Sequence, residues 1–217
     1  MTTTLDTSNL VLKDVHGLLQ LKRQFNNSFN SLLALESLNS REEQDLEQIR
    51  HNFEVYYEEG NLLEGEVKFL VLSPLMWLAG FYHPQIRIAL EEGIVPINIE
   101  DKDTIIRGRM DILAVNRIEV NRNDTPLWVL LIESKRGRVD ALEGLPQLLT
   151  YAYSSLEHQD SVWGLATNGK NYQFVYLQEG HPPIYQLLPE LNLIRSEHAL
   201  ELLQVLKAIC QQCFTVS

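Results

Sequence analysis

The chain is poor in cysteine, which limits the ways in which it can be stabilised. Only two cysteines occur among 217 residues, Cys210 and Cys213, in a C-x-x-C spacing near the C-terminus. No second pair and no histidine at zinc spacing accompanies them, so a disulfide scaffold is excluded and a zinc site is disfavoured. We therefore expect two reduced thiols on a terminal helix.

Long apolar runs are also missing. The longest spans residues 69–81, is interrupted by serine, proline and glycine, and is too short to cross a bilayer. The opening residues, MTTTLDTSNLVLKD, lack the positive region and apolar stretch of an export signal. The sequence also lacks the G-x-x-x-x-G-K-[ST] loop of ATP-driven motors. We expect a cytoplasmic protein with no membrane contact and no motor of its own.

Positive charge is scarce, with 18 Lys and Arg against 29 Asp and Glu and a net charge of −11. A protein that coats DNA regardless of sequence is disfavoured, because such proteins neutralise many phosphates with basic side chains. A nuclease needs positive potential only around one cleft. Residues 102–138 hold eight basic residues against five acidic ones, whereas residues 36–66 hold two against ten. Chance clustering on solvated faces explains this asymmetry equally well.

The hydrophobic pattern predicts an α/β (α+β) fold. Residues 1–60 are acidic, show helical periodicity, and form either a helical N-terminal arm or a layer on the main body. Residues 61–217 are predicted to contain, in order, a helix over Leu62–Leu78, strands over 86–90 and 94–99, a hairpin over 110–132, a helix over 140–157, a strand pair around Asn168-Gly169, and a terminal helix. We expect a mixed central sheet with helices on both faces, in two parts or as one continuous globular domain.

Three ionisable residues of the predicted hairpin stand out. Glu133 and Lys135 end the apolar strand WVLLI and, being two residues apart, project from the same face. Asp111 lies on the other arm, so pairing across the turn would bring its carboxylate close to Glu133. Two adjacent carboxylates repel each other, and a hard cation such as Mg²⁺ relieves that repulsion. A structural ion pair, or open solvent at the sheet edge, is the alternative explanation.

The helix that follows this strand adds uncharged polar groups. Gln147 and Tyr151 are four residues apart and share one helix face, which can cover the site and offer hydrogen bonds to phosphates or bases. Arg136 and Arg138 flank the strand end, where a phosphate-binding role and a solvated loop are equally compatible with the sequence. An acid, then Glu-x-Lys at the end of an apolar strand, then Gln-x-x-x-Tyr on the next helix is a more specific functional signal than either short motif alone.

In this order the motifs resemble the PD-(D/E)xK nuclease superfamily and its RecB-like branch. More narrowly, the chain is similar to the N-terminal nuclease domain of type I restriction enzyme R subunits. The resemblance covers residues 60–210 and is carried by LEGEVKFLVLSPLMWLAGF with Glu66, GRMDILA with Asp111, LLIESKR with Glu133 and Lys135, QLLTY with Gln147 and Tyr151, and GLATNGKNYQFVYL.

The resemblance implies a restriction-endonuclease-like fold and hydrolysis of DNA phosphodiester bonds that depends on Mg²⁺ or Mn²⁺. It implies that Asp111 and Glu133 bind the metal, with the backbone carbonyl of Ser134 as a further ligand. A glutamate of the preceding helix would complete the metal shell, either Glu66 or its competitor Glu64.

The same resemblance implies that Lys135 positions the attacking water and that Gln147 and Tyr151 support the site or contact DNA, with Arg136 and Arg138 close by. R subunits normally carry the motor that this chain lacks, so the expected partners are DNA and a separate motor or other restriction-system subunits. The sequence separation between Asp111 and Glu133 is longer than is usual in the family, which an extended hairpin would explain.

Two other interpretations stay open. A catalytically silent protein could keep the nuclease fold as an interaction or nucleic-acid-binding module, which the net charge of −11 favours. Alternatively, Asp111, Glu133 and Lys135 form an ion-pair network in an unrelated α/β domain.

Overall fold

The computed structural model of the protein describes residues 3–60, 62–94, 96–99, 103–120 and 126–215. Residues 121–125, most of the turn predicted over Asn121–Pro126, lie outside these ranges. The strands are β1 (Thr3–Asp6), β2 (Lys22–Phe25), β3 (Ile86–Gly93), β4 (Ile97–Ile99), β5 (Thr104–Arg107), β6 (Arg109–Val120), β7 (Pro126–Ser134), β8 (Ser161–Thr167), β9 (Asn171–Gln178) and β10 (Ile184–Asn192). The α-helices are α1 (Leu12–Leu19), α2 (Ser40–Glu59), α3 (Glu64–Val67), α4 (Ser73–Leu78), α5 (Leu145–Ser155) and α6 (Ser196–Thr215).

A seven-stranded mixed sheet forms the centre of the fold, in the order β2-β10-β9-β8-β7-β6-β3. β6 and β7 pair antiparallel, which confirms the predicted hairpin, and β7 lies inside the sheet. β7 and β8 pair parallel and are connected through α5, which contacts both strands. A second sheet contains three strands in the order β1-β5-β4. This mixed α/β architecture agrees with the predicted restriction-endonuclease-like fold class.

Both faces of the large sheet are covered by helices. Along β7, Leu130 and Ile132 enter one apolar core with residues of α2, α4 and α6, whereas Leu131 enters a second core with residues of α1 and α5. Successive side chains of a strand point to opposite faces, so a continuous apolar run is what a strand buried on both sides requires. Each fully buried side chain of this size stabilises the fold by about 1.5–3 kcal/mol.

The N-terminal segment contains two short strands as well as helices, and its helical periodicity did not predict these strands. β1 pairs parallel with β5, and β2 pairs parallel with β10 at the edge of the large sheet. All four residues of β2 are exposed. Its pairing therefore depends on main-chain hydrogen bonds, and no apolar alternation signals it in the sequence. Phe29 and Phe53 of the same segment lie in the first apolar core. The domain boundary at residue 60 stays a prediction.

The helix predicted over Leu62–Leu78 is present from Glu64 to Leu78, but it is not uniform. A π-helical turn over Lys68–Leu72 separates α3 from α4 and ends just before Ser73 and Pro74. Proline has no N–H to donate to the helical ladder, so irregular hydrogen bonding close to it is expected. Single π-helical turns of this kind often occur at functional sites.

Three strand predictions need correction. The pattern missed β5 and β10, and β3 continues through Glu91–Gly93, where a turn was predicted. Glu91 has a positive φ of 55° within this strand. A residue in the left-handed region bends the strand locally, which explains why its residues resemble a turn in the sequence.

The C-terminal prediction is confirmed, since Cys210 and Cys213 lie as thiols on α6. Burial raises the pKa of Cys210 to about 12, so its thiol stays protonated at neutral pH. Within the described ranges, no helix combines the length and apolar character needed to cross a bilayer.

Candidate active site

The two acids predicted to converge do so at the interior of the large sheet. The β6–β7 register pairs Ile112 with Ile132, and continuing it by one residue puts Asp111 opposite Glu133. Directly opposed residues of an antiparallel pair share one face of the sheet. Both side chains are buried, with residue exposures of 8% for Asp111 and 3% for Glu133. Like charges so placed destabilise each other unless a cation or proton compensates them.

Asp111 is held by three donors. The backbone N–H and the hydroxyl of Ser134 donate to its Oδ2 at 2.7 and 3.1 Å, and the Lys68 ammonium donates to its Oδ1 at 2.7 Å. Ser134 is fully buried at the end of β7. The Asp111 side chain on β6 is therefore fixed by Ser134 of the neighbouring strand β7 and by Lys68.

Glu133 is held less completely. Its Oε1 accepts a hydrogen bond from Lys135 at 2.8 Å, whereas its Oε2 is buried and has no hydrogen-bond partner among the described residues. Burial and the nearby Asp111 charge raise the pKa of Glu133 to about 7, against the lowering effect of Lys135. A buried carboxylate oxygen without a donor is costly, and a bound cation or proton would satisfy it.

Lys135 connects the acids to α5. Its ammonium donates to Glu133 and, at 2.6 Å, to the side-chain oxygen of Gln147. The Gln147 amide donates at 3.3 Å to the hydroxyl of Tyr151, which lies 2.9 Å from the hydroxyl of Thr7. The structure therefore brings the predicted Glu-x-Lys and Gln-x-x-x-Tyr pairs together in one network.

The predicted polar groups around the two acids differ strongly in exposure. Tyr151 is almost completely buried, and burial raises the pKa of its hydroxyl. Arg136 and Arg138 are exposed just beyond the end of β7. Tyr151 therefore supports the lysine network from inside the protein, while the two arginines face solvent close to the same strand end.

Lys68 belongs to the site, although the sequence did not indicate it. Besides Asp111, its ammonium contacts Glu64 at 3.0 Å and Glu91 at 3.1 Å. Burial lowers the pKa of Lys68, but hydrogen bonds and charge from Asp111 and Glu64, with Glu91, outweigh that effect and raise it. The spacing from Glu64 to Lys68 is helical and could have suggested their pairing. No motif or short spacing in the sequence predicts that Glu64 or Lys68 lies close to Glu91.

The two candidate helix acids have different surroundings. The Glu66 carboxylate is exposed and accepts the backbone N–H of Leu63 at 2.7 Å, so it caps the start of α3. Glu64 instead contacts Lys68, which contacts Asp111. Of the two acids that the sequence left open, Glu64 is therefore connected to the carboxylate pair through Lys68.

Gly144 closes one side of the site. A Cβ atom added at Gly144, just before α5, would lie 2.9 Å from Cγ of Glu133 and 3.5 Å from Cε of Lys135. The first distance is shorter than carbon atoms tolerate without a shift. Gly144 therefore lets the start of α5 approach the two functional side chains, which the sequence pattern did not reveal.

The donor set is compatible with a divalent cation in its chemistry. Mg²⁺ takes oxygen ligands, keeps several waters and often uses only one or two carboxylates. Asp111 and Glu133 supply two, and the buried Oε2 of Glu133 is the atom that would gain most. Across the described residues, however, no group of three or more His, Cys, Asp or Glu side chains could hold a metal. The Ser134 carbonyl and a helix acid stay predicted ligands.

Comparisons with known proteins give a similar solved structure but no family match. No protein-family model matches the chain, and no curated protein does either. One similar solved structure is a fragment described as an HsdR subunit of a type I restriction enzyme from Vibrio vulnificus YJ016. The sequence identity is 18% and the TM-score is 0.38. The match covers 66% of this chain but 25% of that one, so this chain spans about a quarter of its length.

Proposed function

We propose that this protein is a divalent-metal-dependent endonuclease that hydrolyses phosphodiester bonds in DNA. One observation carries the proposal: Asp111 and Glu133 face each other on neighbouring buried strands beside Lys135, with Oε2 of Glu133 left without a donor among the described residues. Retaining two opposed, buried carboxylates is costly for the fold, and binding a cation would compensate that cost.

The proposed role of each residue combines its contacts with its place in the sequence motif. Asp111 and Glu133 would hold Mg²⁺ or Mn²⁺, with the Ser134 carbonyl as a further ligand. No third acid among the described residues is placed to join them, so Glu64, the preferred helix acid, would have to leave Lys68 to reach the ion. Once bound, the ion supplies a Lewis acid for the phosphate and lowers the pKa of a bound water. Lys135, fixed by Glu133 and Gln147, would hold the attacking water.

The remaining polar groups would act around this centre. Gln147 and Tyr151 orient the Lys135 ammonium through the hydrogen bonds described above. Arg136 and Arg138 are exposed and would meet the negatively charged DNA backbone. Since the chain is acidic overall, these local cations matter for substrate approach. As part of the same proposal, the protein acts in the cytoplasm with DNA and with a separate motor or other restriction-system subunits as its partners.

A plasmid-nicking assay tests the proposal. The protein should convert supercoiled plasmid to open circles with Mg²⁺ or Mn²⁺ and not with EDTA. Glu133→Gln should abolish nicking, and Lys135→Met should reduce its rate by about 10²–10³-fold. Glu58→Gln is the matched control because Glu58 is an exposed glutamate of α2. Equal nicking by the wild type and Glu133→Gln would contradict the proposal.

A catalytically silent nuclease-fold module is the second candidate. It is favoured by the two ammonium groups, since Lys68 and Lys135 already compensate Asp111 and Glu133 without any metal. Calorimetric titration distinguishes the two candidates. Absence of heat on adding Mg²⁺ or Mn²⁺ to the folded protein would favour the silent module, whereas binding that Glu133→Gln removes would favour the nuclease.

A further inference from the structure

A cavity of about 570 Å³ opens beside the proposed site. Asp111 and Lys68 line it on one side, and the remaining wall is mainly apolar, including Phe69, Tyr82 and Leu90. This volume is within the range of sites that bind small organic groups, about 300–1,000 Å³. The cavity and the carboxylate site therefore share Asp111.

Two aromatic rings of the cavity wall are unusually exposed. Phe69 is 75% exposed and Tyr82 is 49% exposed. Phe69 follows Lys68 in the π-helical turn. Lys68 therefore contacts Asp111 while the next residue places its ring in the cavity wall. The Tyr82 hydroxyl lies 2.8 Å from the hydroxyl of Ser73, which fixes its ring at the cavity edge. Exposed apolar clusters of this kind commonly mark binding surfaces.

We propose that this cavity receives an unpaired nucleobase next to the scissile phosphate, so that the preferred substrate is single-stranded DNA. The inference rests on the proposed function. A phosphate bound to a cation at Asp111 would have a sugar and a base as its nearest covalent neighbours, and the adjoining cavity offers flat apolar surface. Every base has a π-face that stacks on aromatic side chains. A paired base inside a duplex would have to leave its stack first.

Binding measured without hydrolysis tests this proposal separately from catalysis. The parent protein is Lys135→Met, which keeps both carboxylates, and Ca²⁺ replaces Mg²⁺. Fluorescence anisotropy is followed for a labelled thymidine oligonucleotide and for an abasic strand of equal length. Adding Phe69→Ala should weaken thymidine-strand binding by about 5- to 150-fold and leave abasic-strand binding unchanged. Adding Trp77→Ala is the matched control, because Trp77 is 57% exposed on α4 but does not line the cavity.

The outcomes separate the two proposals. If Phe69→Ala binds both strands as the parent does, the base-stacking proposal is wrong, even if the wild type cleaves DNA. If Phe69→Ala weakens both strands equally, the ring contributes to binding of the sugar-phosphate backbone and not of the base, and the base-stacking proposal is wrong. If Phe69→Ala selectively weakens thymidine binding while the wild type cleaves no DNA, base stacking stands and the nuclease proposal fails. A parent that binds neither strand contradicts the base-stacking proposal, and the plasmid-nicking assay then decides the nuclease proposal alone.

Discussion

The buried Glu133 carboxyl makes protein stability depend on pH in an unusual direction. Burial and the opposing Asp111 raise the pKa of Glu133 from 4.5 to about 7. Between these values the unfolded chain has lost the proton that the folded chain retains. The folded state therefore binds more protons, and the free energy of unfolding falls as pH rises through this window. Above pH 7 both states are ionised, and the penalty stays constant.

The size of this effect follows from the difference between the two pKa values. Each pKa unit corresponds to 1.36 kcal/mol, so ionised Glu133 reduces the stability of the folded state by roughly 3 kcal/mol at high pH. Between pH 5 and pH 8 the change is about 2–3 kcal/mol. For a chain of 217 residues, this corresponds to a Tm difference of roughly 5–10 °C.

Thermal unfolding of the wild type and Glu133→Gln from pH 5 to pH 8 measures this difference directly. Glutamine keeps the shape and cannot ionise, so the variant should gain about 5–10 °C in Tm relative to the wild type as pH rises. Glu58→Gln, exposed on α2, should follow the wild type at every pH. Parallel Tm curves for the wild type and Glu133→Gln would refute the reasoning.

Three further predictions concern the surroundings of the carboxylate pair. Gly144→Ala should lower Tm and slow nicking, because the new Cβ would clash with the Glu133 side chain and destabilise the fold by about 1–3 kcal/mol. An unchanged Tm and nicking rate would contradict this prediction. Glu64→Gln should weaken Mn²⁺ binding in calorimetry more than Glu66→Gln, because glutamine at position 66 keeps an oxygen that accepts the Leu63 N–H; the reverse order would return the helix acid to Glu66. Lys68→Met should have a lower Tm than the wild type, because it leaves the neighbouring acids without a compensating charge. Added Mn²⁺ should raise the Tm of this variant more than that of the wild type; equal increases would show that Lys68 does not substitute for a cation.

The centre of the site was predictable because its signals are local. An apolar run ending in Glu133 and Lys135 indicated a strand buried on both faces, and period-two geometry put both charges on one side. The turn residues after β6 indicated an antiparallel return, which brought Asp111 opposite Glu133. Helical spacing then related Gln147 to Tyr151. Each of these inferences depends only on residues that are close in sequence or joined by one turn.

The surroundings of the site were not predictable, because they depend on contacts between distant elements. Lys68 on the π-helical turn meets Glu91 on β3 only after the helix packs against the sheet. Residues two apart on a helix face different directions, so the sequence could not decide between Glu64 and Glu66 without knowing which side meets the sheet. The pairing of β2 with β10 was missed for a related reason, since an exposed edge strand carries no apolar pattern.

Crystals soaked in Mn²⁺ give the most direct test of a metal site between the two opposed carboxylates. The anomalous difference map should contain a peak within coordination distance of Asp111 and Glu133, and Glu133→Gln crystals treated in the same way should lack it. A wild-type map without that peak, in which Lys68 and Lys135 still hold both acids, would contradict a metal-dependent mechanism at this site.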